Sequence, residues 1–384
     1  MALNTKPCIL VFIDWFWPGY LAGGPIQSVL SIVQYLKDDI DFKIVTTNTD
    51  LNSTKAYENI EPNKWIKSPI GCEVLYLERS QLSVETINAV LIETAFDKIY
   101  INSFFSEFFS IIPLRILKKH FPQKPVIVAP RGMLGKGALS IKPLKKQLFF
   151  FYARVTGLHK NVFWHATSLQ EKSEIERSIK TVRRIFLVSN LPKKINAAAS
   201  RKKTKEQLNV CFISRISPKK NLVFALEALA LVKNVRITFD IYGPKEDPAY
   251  WSKCETLIKQ LPSNVTAEYR GSLSPDELEM VYGKSHLLFL PSLNENFGHS
   301  IVESLMCACP VLISDQTPWS DVADFDAGFA LSLDKKQAFA EQITALAKLD
   351  EEHYNKKCEA SINYISSKIK IPEIVNAYKL LFNA

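Results

Sequence analysis

Short apolar runs that alternate with helical patterns constrain the fold of this chain more than any other sequence feature. A first series of runs covers residues 9–13, 43–47, 74–77, 98–101 and 126–129. A second series covers residues 210–214, 238–242, 265–269, 286–290 and 311–314. Strands that are apolar along their whole length, separated by amphipathic helices, are typical of parallel sheets with helices on both faces. We therefore predict an α/β fold with two parallel sheets.

The length of the chain favours two domains, because its 384 residues exceed the roughly 250–300 at which one hydrophobic core stops growing. Residues 192–205, PKKINAAASRKKTK, separate the two series and have the polarity of a linker. We predict one Rossmann-like domain over residues 1–195, another over 206–365, and a cleft between them. Residues 366–384 would form a terminal helix, since apolar residues recur there at helical spacing.

Composition excludes several other classes of protein. The chain is 47% hydrophobic and 23% charged, as an ordinary globular protein is. No segment approaches the ~18 uninterrupted apolar residues of a membrane span, and Asp14 interrupts the apolar start, which therefore predicts a buried strand and not a signal peptide. Seven scattered cysteines without a Cys-x-x-Cys pair suit a reducing cytoplasm better than a disulfide framework.

The net charge of +9 is unevenly distributed. Residues 114–160 contain eleven Lys or Arg and no Asp or Glu, and within them SIKPLKKQLFFFYARV interleaves cations with apolar side chains. One interpretation is a basic amphipathic helix attracted to an anionic membrane surface. The other is a solvated basic face whose aromatic side belongs to the core. Basic charge by itself also suits nucleic acids or phosphorylated substrates.

The segment 289–314, FLPSLNENFGHSIVESLMCACPVLIS, carries the strongest sequence signal for a functional site. An apolar strand runs into a polar loop, a helix and a second apolar strand, with Glu295 and Glu303 eight residues apart. Gly298 lies between them and suits a tight turn or close backbone approach. A helix that begins near His299 would direct its first N–H groups at the loop and form a site for anions and hydroxyls.

Further candidates lie at other strand ends, where open parallel sheets bind their ligands. Gly23 and Gly24 follow the first strand and precede a helix that Pro25 is suited to begin. Arg215 and Lys220 follow the first strand of the second series, where two cations would neutralise a diphosphate. At the ends of two later strands, the backbone of a nucleoside pocket is predicted around Gly243 and Arg270.

Taken together, these residues resemble glycosyltransferase family 4, whose members have the GT-B fold and retain anomeric configuration. The spacing of Glu295 and Glu303 matches the family's Glu-x7-Glu signature, and SRISPKKN matches its Gly-Arg-Leu-x-x-x-Lys-Gly element at Arg215 and Lys220. The segments PGYLAGGP, APRGML and ATSLQE follow the family order, so the resemblance covers nearly the whole chain. Ser214 and Asn221 replace the usual glycines, which puts the turn geometry there in question.

The resemblance implies a role for each matching residue. Arg215 and Lys220 would hold the donor diphosphate and Glu303 the ribose, while Gly23 and Gly24 would cover the phosphate from the opposite domain. The sugar would be held by Glu295 and by the segment that follows it, Asn296, Phe297, Gly298, His299 and Ser300. The catalytic set is then Glu295, Arg215 and Lys220.

Catalysis would need neither a cofactor nor a metal, since fixed cations and helix N-termini can stabilise the leaving diphosphate. We expect front-face attack, in which a donor phosphate oxygen accepts the acceptor's proton. The predicted acceptor contacts lie near strand ends of the first domain: Asn102, Ser103, Arg131 and His165. For His165, packing in a buried strand end is the favoured alternative. The family resemblance also implies that the terminal helix crosses back to the first domain.

Two metal-binding patterns are weighed and not adopted. Asp324 and Asp326 form an Asp-x-Asp of the kind that binds divalent ions in the other large glycosyltransferase fold, but they follow the motif helix. Glu295, His299 and Glu303 recur at intervals of four, as on one helix face. Gly298 and the loop before it disfavour one continuous helix through all three residues.

The predicted function is therefore retaining transfer of a hexose from a UDP- or GDP-sugar to a saccharide acceptor, linked to a lipid such as undecaprenyl diphosphate. The predicted setting is bacterial O-antigen (lipopolysaccharide), capsule or exopolysaccharide synthesis, in the cytoplasm at the inner face of the membrane. The alternatives are a sugar-nucleotide epimerase of the same architecture and a basic nucleic-acid-binding protein, although no nucleic-acid module is recognisable. A nicotinamide dehydrogenase is disfavoured because no Gly-x-Gly-x-x-Gly follows the first strand.

Overall fold

The computed structural model describes residues 6–179, 182, 184–195, 201–274 and 277–383. The chain divides into two compact units, one of Met1–Leu191 with Ile371–Ala384 and one of Pro192–Lys370. The predicted linker 192–205 thus belongs to the second unit, and its residues 196–200 lie outside the described part of the chain. Each unit is a parallel sheet with helices, so the predicted α/β class is confirmed.

The first unit contains an eight-stranded sheet among its described residues, in the order β3-β4-β2-β1-β5-β6-β7-β8. Neighbouring strands are parallel except β3, which runs antiparallel to β4. The strands are β1 (Cys8–Phe12), β2 (Asp41–Thr47), β3 (Trp65–Lys67), β4 (Glu73–Leu77), β5 (Lys98–Ile101), β6 (Val126–Val128), β7 (Val162–Ala166) and β8 (Arg184–Leu187).

Helices cover both faces of this first sheet. They are α1 (Gly24–Leu36), α2 (Val84–Glu93), α3 (Ile112–His120), α4 (Lys136–Leu139), α5 (Pro143–Val155) and α6 (Leu169–Ser178), with a π-helical turn at Glu107–Ile111 before α3. Alternate residues of β1 belong to different cores: Leu10 and Phe12 to one, Ile9 and Val11 to the other. Because both faces are buried, the strand is apolar at every position.

The second unit contains a six-stranded sheet, all parallel in its described residues, in the order β11-β10-β9-β12-β13-β14. Its strands are β9 (Gln207–Ile213), β10 (Arg236–Tyr242), β11 (Val265–Gly271), β12 (Leu287–Leu290), β13 (Val311–Ser314) and β14 (Gly328–Leu331). Its helices are α7 (Leu222–Leu229), α8 (Pro248–Lys259), α9 (Leu278–Lys284), α10 (His299–Met306), α11 (Lys336–Lys348) and α12 (Glu351–Lys368). The strand order reverses direction between β9 and β12, which is where such sheets bind ligands.

A terminal helix was predicted over 366–384; α13 covers Ile371–Asn383 and belongs to the first unit, while residues 366–368 are the end of α12. The buried α13 residues Tyr378, Leu381 and Phe382 join the core beneath α1. The Phe382 ring contacts the ring of Phe42 edge-on, with centroids 5.9 Å apart. None of the helices within the described ranges is both long and apolar enough to cross a membrane.

The strands predicted from apolar runs are confirmed, with ends that differ by at most three residues. The three strands that the pattern missed altogether, β3, β8 and β14, lie at sheet edges. An edge strand is less covered than a central one and carries fewer apolar residues, so its sequence gives a weaker signal. Strand β7 was recognised only at its end, around His165.

Two cations of the polar segment 192–205 bind carbonyl oxygens at helix ends, a role that the composition of the segment does not reveal. The Arg201 guanidinium is buried and donates hydrogen bonds to the carbonyl oxygens of Cys307 and, at 2.8 Å, Ala308, just beyond α10. The Lys203 ammonium is also buried and donates to Ala347 O at 2.9 Å, near the end of α11. Cations at helix C-termini satisfy carbonyls that have no partner within the helix.

Gly243, at the end of β10, provides a test of this packing. Its φ is 137°, and a Cβ added there would lie 1.8 Å from Ser214 O. We expect Gly243→Ala to lower the free energy of unfolding of the second unit by roughly 2–4 kcal/mol, because the β9 and β10 loops must separate. The measurement is the urea midpoint.

The matched control is Gly283→Ala. Gly283 lies in α9, and a Cβ there meets no atom within 4 Å. Alanine is the better helix former by roughly 1 kcal/mol, so this variant should be as stable as the wild type or more so. Equal midpoints for the two variants would contradict the packing inferred at Gly243.

Candidate functional site

Three loops of the second unit meet at the carboxyl ends of β9, β10 and β12. Ile216 N donates to Pro244 O at 2.8 Å, which joins the β9 and β10 loops. Leu293 N donates to Lys219 O at 2.9 Å, which joins the β9 and β12 loops. The backbone therefore holds these loops in one arrangement, and there one predicted cation, Lys220, meets one predicted carboxylate, Glu295.

Arg215 lies at the half-exposed side of this arrangement. Its NH1 is 2.8 Å from Glu246 Oε1, an acid in the loop after β10. The side chains of both residues remain about one-third exposed, 36% and 37%. Arg215 thus presents a guanidinium at the strand ends, as predicted, with a carboxylate as its partner. Glu246 was not identified from the sequence, although an acid just after a strand-end Gly-Pro was the available signal.

Lys220 and Glu295 form the buried part of the site. Lys220 Nζ is 2.6 Å from Glu295 Oε1, and Ser292 Oγ donates to the same oxygen at 2.7 Å. Glu295 is only 7% exposed. The structure thereby pairs a cation from the β9 loop with the first carboxylate of the Glu-x7-Glu segment, a contact that spacing did not predict.

The departures from the family glycines have a local explanation. Asn221 has φ 61° and ψ 41°, the left-handed conformation that glycine usually supplies. Asparagine adopts this conformation more readily than other side chains. Ser214 lies opposite Gly243, whose missing side chain makes the close approach of the two loops possible. The turn that carries Arg215 and Lys220 therefore forms without the usual glycines.

Gly298 positions the start of α10. It is left-handed, with φ 75° and ψ 60°, and the helix begins at His299, as the sequence predicts. The residue before it is also held: Trp319 Nε1 donates to Phe297 O at 2.5 Å, and the two rings meet edge-on. Glu295 therefore precedes the helix, and Glu295, His299 and Glu303 do not share one helical face.

The two carboxyl groups of the signature have opposite electrostatics. Burial by itself would raise the pKa of Glu295, but the Lys220 ammonium and the Ser292 hydroxyl hold it below its ordinary value. Glu303, on α10, is 6% exposed, and burial raises its pKa to about 7, against a weaker lowering by Lys193. Glu295 is therefore held as a carboxylate, whereas the raised pKa of Glu303 favours its protonated form, which can both donate and accept hydrogen bonds.

The remaining residues predicted for the donor lie at different places. Arg270, on β11, is paired with Asp240 at 2.8 Å and with Glu268 at 2.6 Å. Gly243 N donates to Gly271 O at 2.8 Å, so a backbone hydrogen bond joins the strand ends that carry the predicted positions Gly243 and Arg270. Gly23, in the first unit, caps α1 with φ 66° and ψ −119°, and Gly24 begins that helix. Their contacts with a donor stay predictions.

A polar network joins three of the four predicted acceptor residues in the first unit. Arg131, at the end of β6, has a φ of 54°. Its Nε donates to Asn102 Oδ1 at 2.6 Å, and its NH2 donates to Tyr100 Oη at 2.7 Å. Tyr100 Oη is in turn 2.8 Å from His165 Nδ1. Ser103 is buried beside Asn102 and directs its hydroxyl at Met133 Sδ, 3.9 Å away.

His165 has no exposed surface. Burial, together with the Arg131 charge, lowers its pKa to about 3, so the ring is neutral. Val188 O lies 2.8 Å from Nε2 and can only accept, so Nε2 carries the proton and Nδ1 accepts from Tyr100 Oη. Both ring nitrogens are satisfied internally, which is the geometry of the packing alternative. Acceptor contacts of Asn102, Ser103 and Arg131 stay predictions.

Asp14 is a polar residue of the first unit whose position the sequence did not reveal. It follows β1, and its carboxylate accepts a hydrogen bond from Ser106 Oγ at 2.6 Å. Burial raises the pKa of this carboxyl despite that bond. An acid directly after an apolar strand was the available signal, but from the sequence Asp14 was interpreted only as a break in an apolar run.

Neither metal-binding pattern is assembled in the described part of the chain. Asp326 is paired with Lys357, away from the strand-end loops. Within the described ranges, no group of three or more His, Cys, Asp or Glu side chains is arranged to hold a metal ion. The β9 loop brings the cations Arg215 and Lys220 to this site, each paired with a carboxylate.

Comparison with known proteins finds similarity in the second unit. Residues 193–364 match the family described as glycosyl transferases group 1. The O-antigen chain mannosyltransferase B of Escherichia coli is 25% identical over 179 residues, which make up 44% of this chain and 45% of that protein. The matched part therefore spans less than half the length of this curated relative.

Solved structures resemble the whole chain. Sucrose-phosphate synthase of Thermosynechococcus elongatus has a TM-score of 0.69 at 16% identity, over 99% of this chain and 98% of that one. Anabaena HepE, in complex with UDP and glucose, has a TM-score of 0.69 at 15% identity, over 98% of this chain and 100% of that one. This similarity shows the fold, which is GT-B. The chain has a GT-B fold, and residues 193–364 are similar to the glycosyl transferases group 1 family.

The opposite pKa changes of the two glutamates predict opposite effects of neutral substitution. Between pH ~4.5 and ~7 native Glu303 keeps a proton that the unfolded chain releases, so its contribution to stability falls as pH rises. We expect the free energy of unfolding of Glu303→Gln to exceed that of the wild type by up to roughly 3 kcal/mol above pH 7. Below pH 4.5 the two free energies should differ little.

Glu295→Gln is the matched comparison. Lys220 stabilises the Glu295 carboxylate, so this variant should lose stability at neutral pH, and the loss should shrink as acid protonates Glu295 in the wild type. Urea unfolding of both variants from pH 3 to pH 8 measures the difference. Parallel pH profiles for the two variants would disprove the assignment of opposite environments.

Proposed function

We propose that the protein is a glycosyltransferase that moves a hexose from a UDP- or GDP-sugar to a saccharide acceptor. The observation that carries this proposal is the pairing of Lys220 with Glu295 at the strand-end switch point, with Arg215 in the same loop as Lys220. Two cations supplied by one loop match the charge of a nucleoside diphosphate. The group 1 domain match and the GT-B fold support the same class.

In this proposal the leaving diphosphate lies against the β9 loop. Arg215 offers a planar guanidinium and Lys220 a point charge, both fixed before the sugar bond breaks. Preorganised charges stabilise developing negative charge without moving, so the proposal requires no metal ion. Glu303 is suited to the ribose because its raised pKa favours a protonated carboxyl, which can donate to one hydroxyl and accept from another.

Glu295 and the start of α10 are proposed to hold the transferred sugar. Lys220 keeps Glu295 ionised, and an ionised carboxylate accepts hydrogen bonds from sugar hydroxyls and stabilises positive charge at the reacting carbon. The new bond is proposed to form on the same face from which the diphosphate leaves. A phosphate oxygen of the donor then takes the proton of the acceptor hydroxyl, so no protein side chain is needed as the base.

The acceptor is proposed to be a saccharide carried on a lipid diphosphate such as undecaprenyl diphosphate. We place the reaction on the cytoplasmic side of the membrane, in the assembly of a bacterial surface polysaccharide. Support comes from the relative whose name describes a mannosyltransferase acting on the O-antigen chain. The proposed acceptor side consists of Asn102 and Arg131, which hydrogen-bond to each other, and of Ser103 beside Asn102 in the first unit.

Binding of nucleotides tests the donor site. We expect UDP- or GDP-sugars of one base class to raise the melting temperature of the wild type, and Arg215→Ala to weaken binding at least tenfold because a charge-assisted hydrogen bond is lost. Lys356→Ala is the control, since its ammonium pairs with Glu352 on the exposed face of α12. A folded wild type that no sugar nucleotide stabilises would reject the proposal. Release of an altered sugar nucleotide without an acceptor would favour the epimerase.

Substitution of Glu246 should have the opposite effect on nucleotide binding. Its carboxylate occupies NH1 of Arg215 in this structure, so it competes with a phosphate for that guanidinium. We expect Glu246→Gln to bind the nucleoside diphosphate roughly three- to tenfold more tightly, because a half-exposed ion pair is worth about 1 kcal/mol. Weaker binding by this variant would mean that Glu246 positions Arg215 and does not compete.

The stereochemistry is tested on the product. We expect the anomeric coupling constant, measured by NMR, to show the configuration of the donor sugar, because attack and departure share one face. The same reaction should proceed unchanged with a chelator of divalent ions. An inverted product would exclude the front-face mechanism, and loss of turnover with the chelator would exclude metal independence.

A further inference from the structure

Helix α5 has apolar side chains on two opposite faces. One face carries Phe149, Phe150 and Ala153, which pack against the core of the first unit. The rings of Phe149 and Phe150 both lie within 6 Å of Phe104, in an aromatic cluster. The interpretation that the aromatic side of this segment belongs to the core is therefore correct for this face. The same interpretation expects a polar face toward solvent, and the solvent side of α5 is not polar.

The opposite face is an apolar stripe, formed by Leu144, Leu148, Phe151 and Val155. These residues are spaced four, three and four apart, so they lie in one row along the helix. Each is exposed over 68–75% of its surface, and Ile141 just before the helix is 63% exposed. An uninterrupted row of large exposed apolar side chains is uncommon on a globular surface and marks an interaction site.

Cations flank the apolar stripe. Lys142 and Lys145 are exposed near the start of α5, and Arg154 is exposed near its end. Lys146 differs, because its ammonium lies 5.0 Å from the ring of Phe105 on the core side. Residues 114–160 contain no acidic residue, so no carboxylate within this stretch neutralises these charges.

We propose that the apolar stripe and its flanking lysines form a docking surface for an anionic lipid bilayer, with α5 lying in the plane of the interface. A helix of 13 residues is about 20 Å long, too short to cross the ~30 Å hydrocarbon core. Aliphatic and aromatic side chains enter the boundary between headgroups and acyl chains, while Lys142, Lys145 and Arg154 contact the anionic headgroups.

Charge decides between this occupant and a second copy of the chain. Two copies that met through the apolar stripe would bring their flanking cations together without an acidic partner from this stretch. An anionic bilayer supplies both the apolar phase and the opposite charge. The inference deepens the proposed function, because a lipid-linked acceptor is met at such a surface, but lipid binding can be measured without donor or acceptor.

The experiment is sedimentation of the full chain with vesicles of phosphatidylglycerol or of phosphatidylcholine. We expect the wild type to pellet with the anionic vesicles only. The variant Leu148→Asn/Phe151→Asn should lose most of this binding, roughly tenfold or more. Lys142→Gln/Lys145→Gln should lose roughly 30-fold, which corresponds to about 1 kcal/mol per lysine. The control Leu380→Asn replaces a leucine of α13 that is 62% exposed, and it should bind like the wild type.

Because the substituted side chains are exposed, these variants should keep the wild-type melting temperature and its shift with sugar nucleotides. That shift separates the two hypotheses, since a protein without donor binding can still dock on lipid. Three results would each overturn the docking surface: a wild type that stays in solution with anionic vesicles, stripe variants that pellet like the wild type, or a dimer in sedimentation velocity that the stripe variants dissociate.

Discussion

The buried ion pair between Lys220 and Glu295 is the interaction on which the arrangement of the second unit's strand ends depends. It joins the loop after β9 to the loop after β12 at the point where the strand order reverses. Removing one member of such a pair leaves a buried charge without a partner, which is far more costly than replacing both. The pair therefore fixes the position of Glu295 and keeps it ionised, while Glu303, eight residues on, has no such ion pair with a described residue and has a raised pKa.

A comparable constraint organises the first unit. Arg131 donates to Asn102 and to Tyr100, and through Tyr100 it is linked to His165. The network draws side chains from β5 and β7 and from the segments after β5 and β6, so the carboxyl ends of neighbouring strands are tied by polar contacts and not only by packing. Buried polar groups that satisfy one another in this way define one arrangement of the surrounding loops.

The sequence predicted the central strands and the start of α10 well, because burial on both faces and a left-handed glycine leave strong local signals. It missed the edge strands β3, β8 and β14, whose coverage is lower, and it missed Glu246, whose relevance depends on a contact between two loops. The polar stretch with Arg201 and Lys203 was interpreted as a linker. Composition shows that such a segment is polar, but not that its cations turn inward to helix ends.

By itself, the sequence determined the α/β class, the two series of strands and the residue types at the strand ends, because each of these follows from local periodicity or from a motif of fixed spacing. Only the tertiary structure decided which charges pair, which carboxyl is ionised and which face of α5 meets solvent. The physical reason is that ion pairing and desolvation depend on distances between residues remote in the chain, such as Lys220 and Glu295. No local pattern encodes those distances.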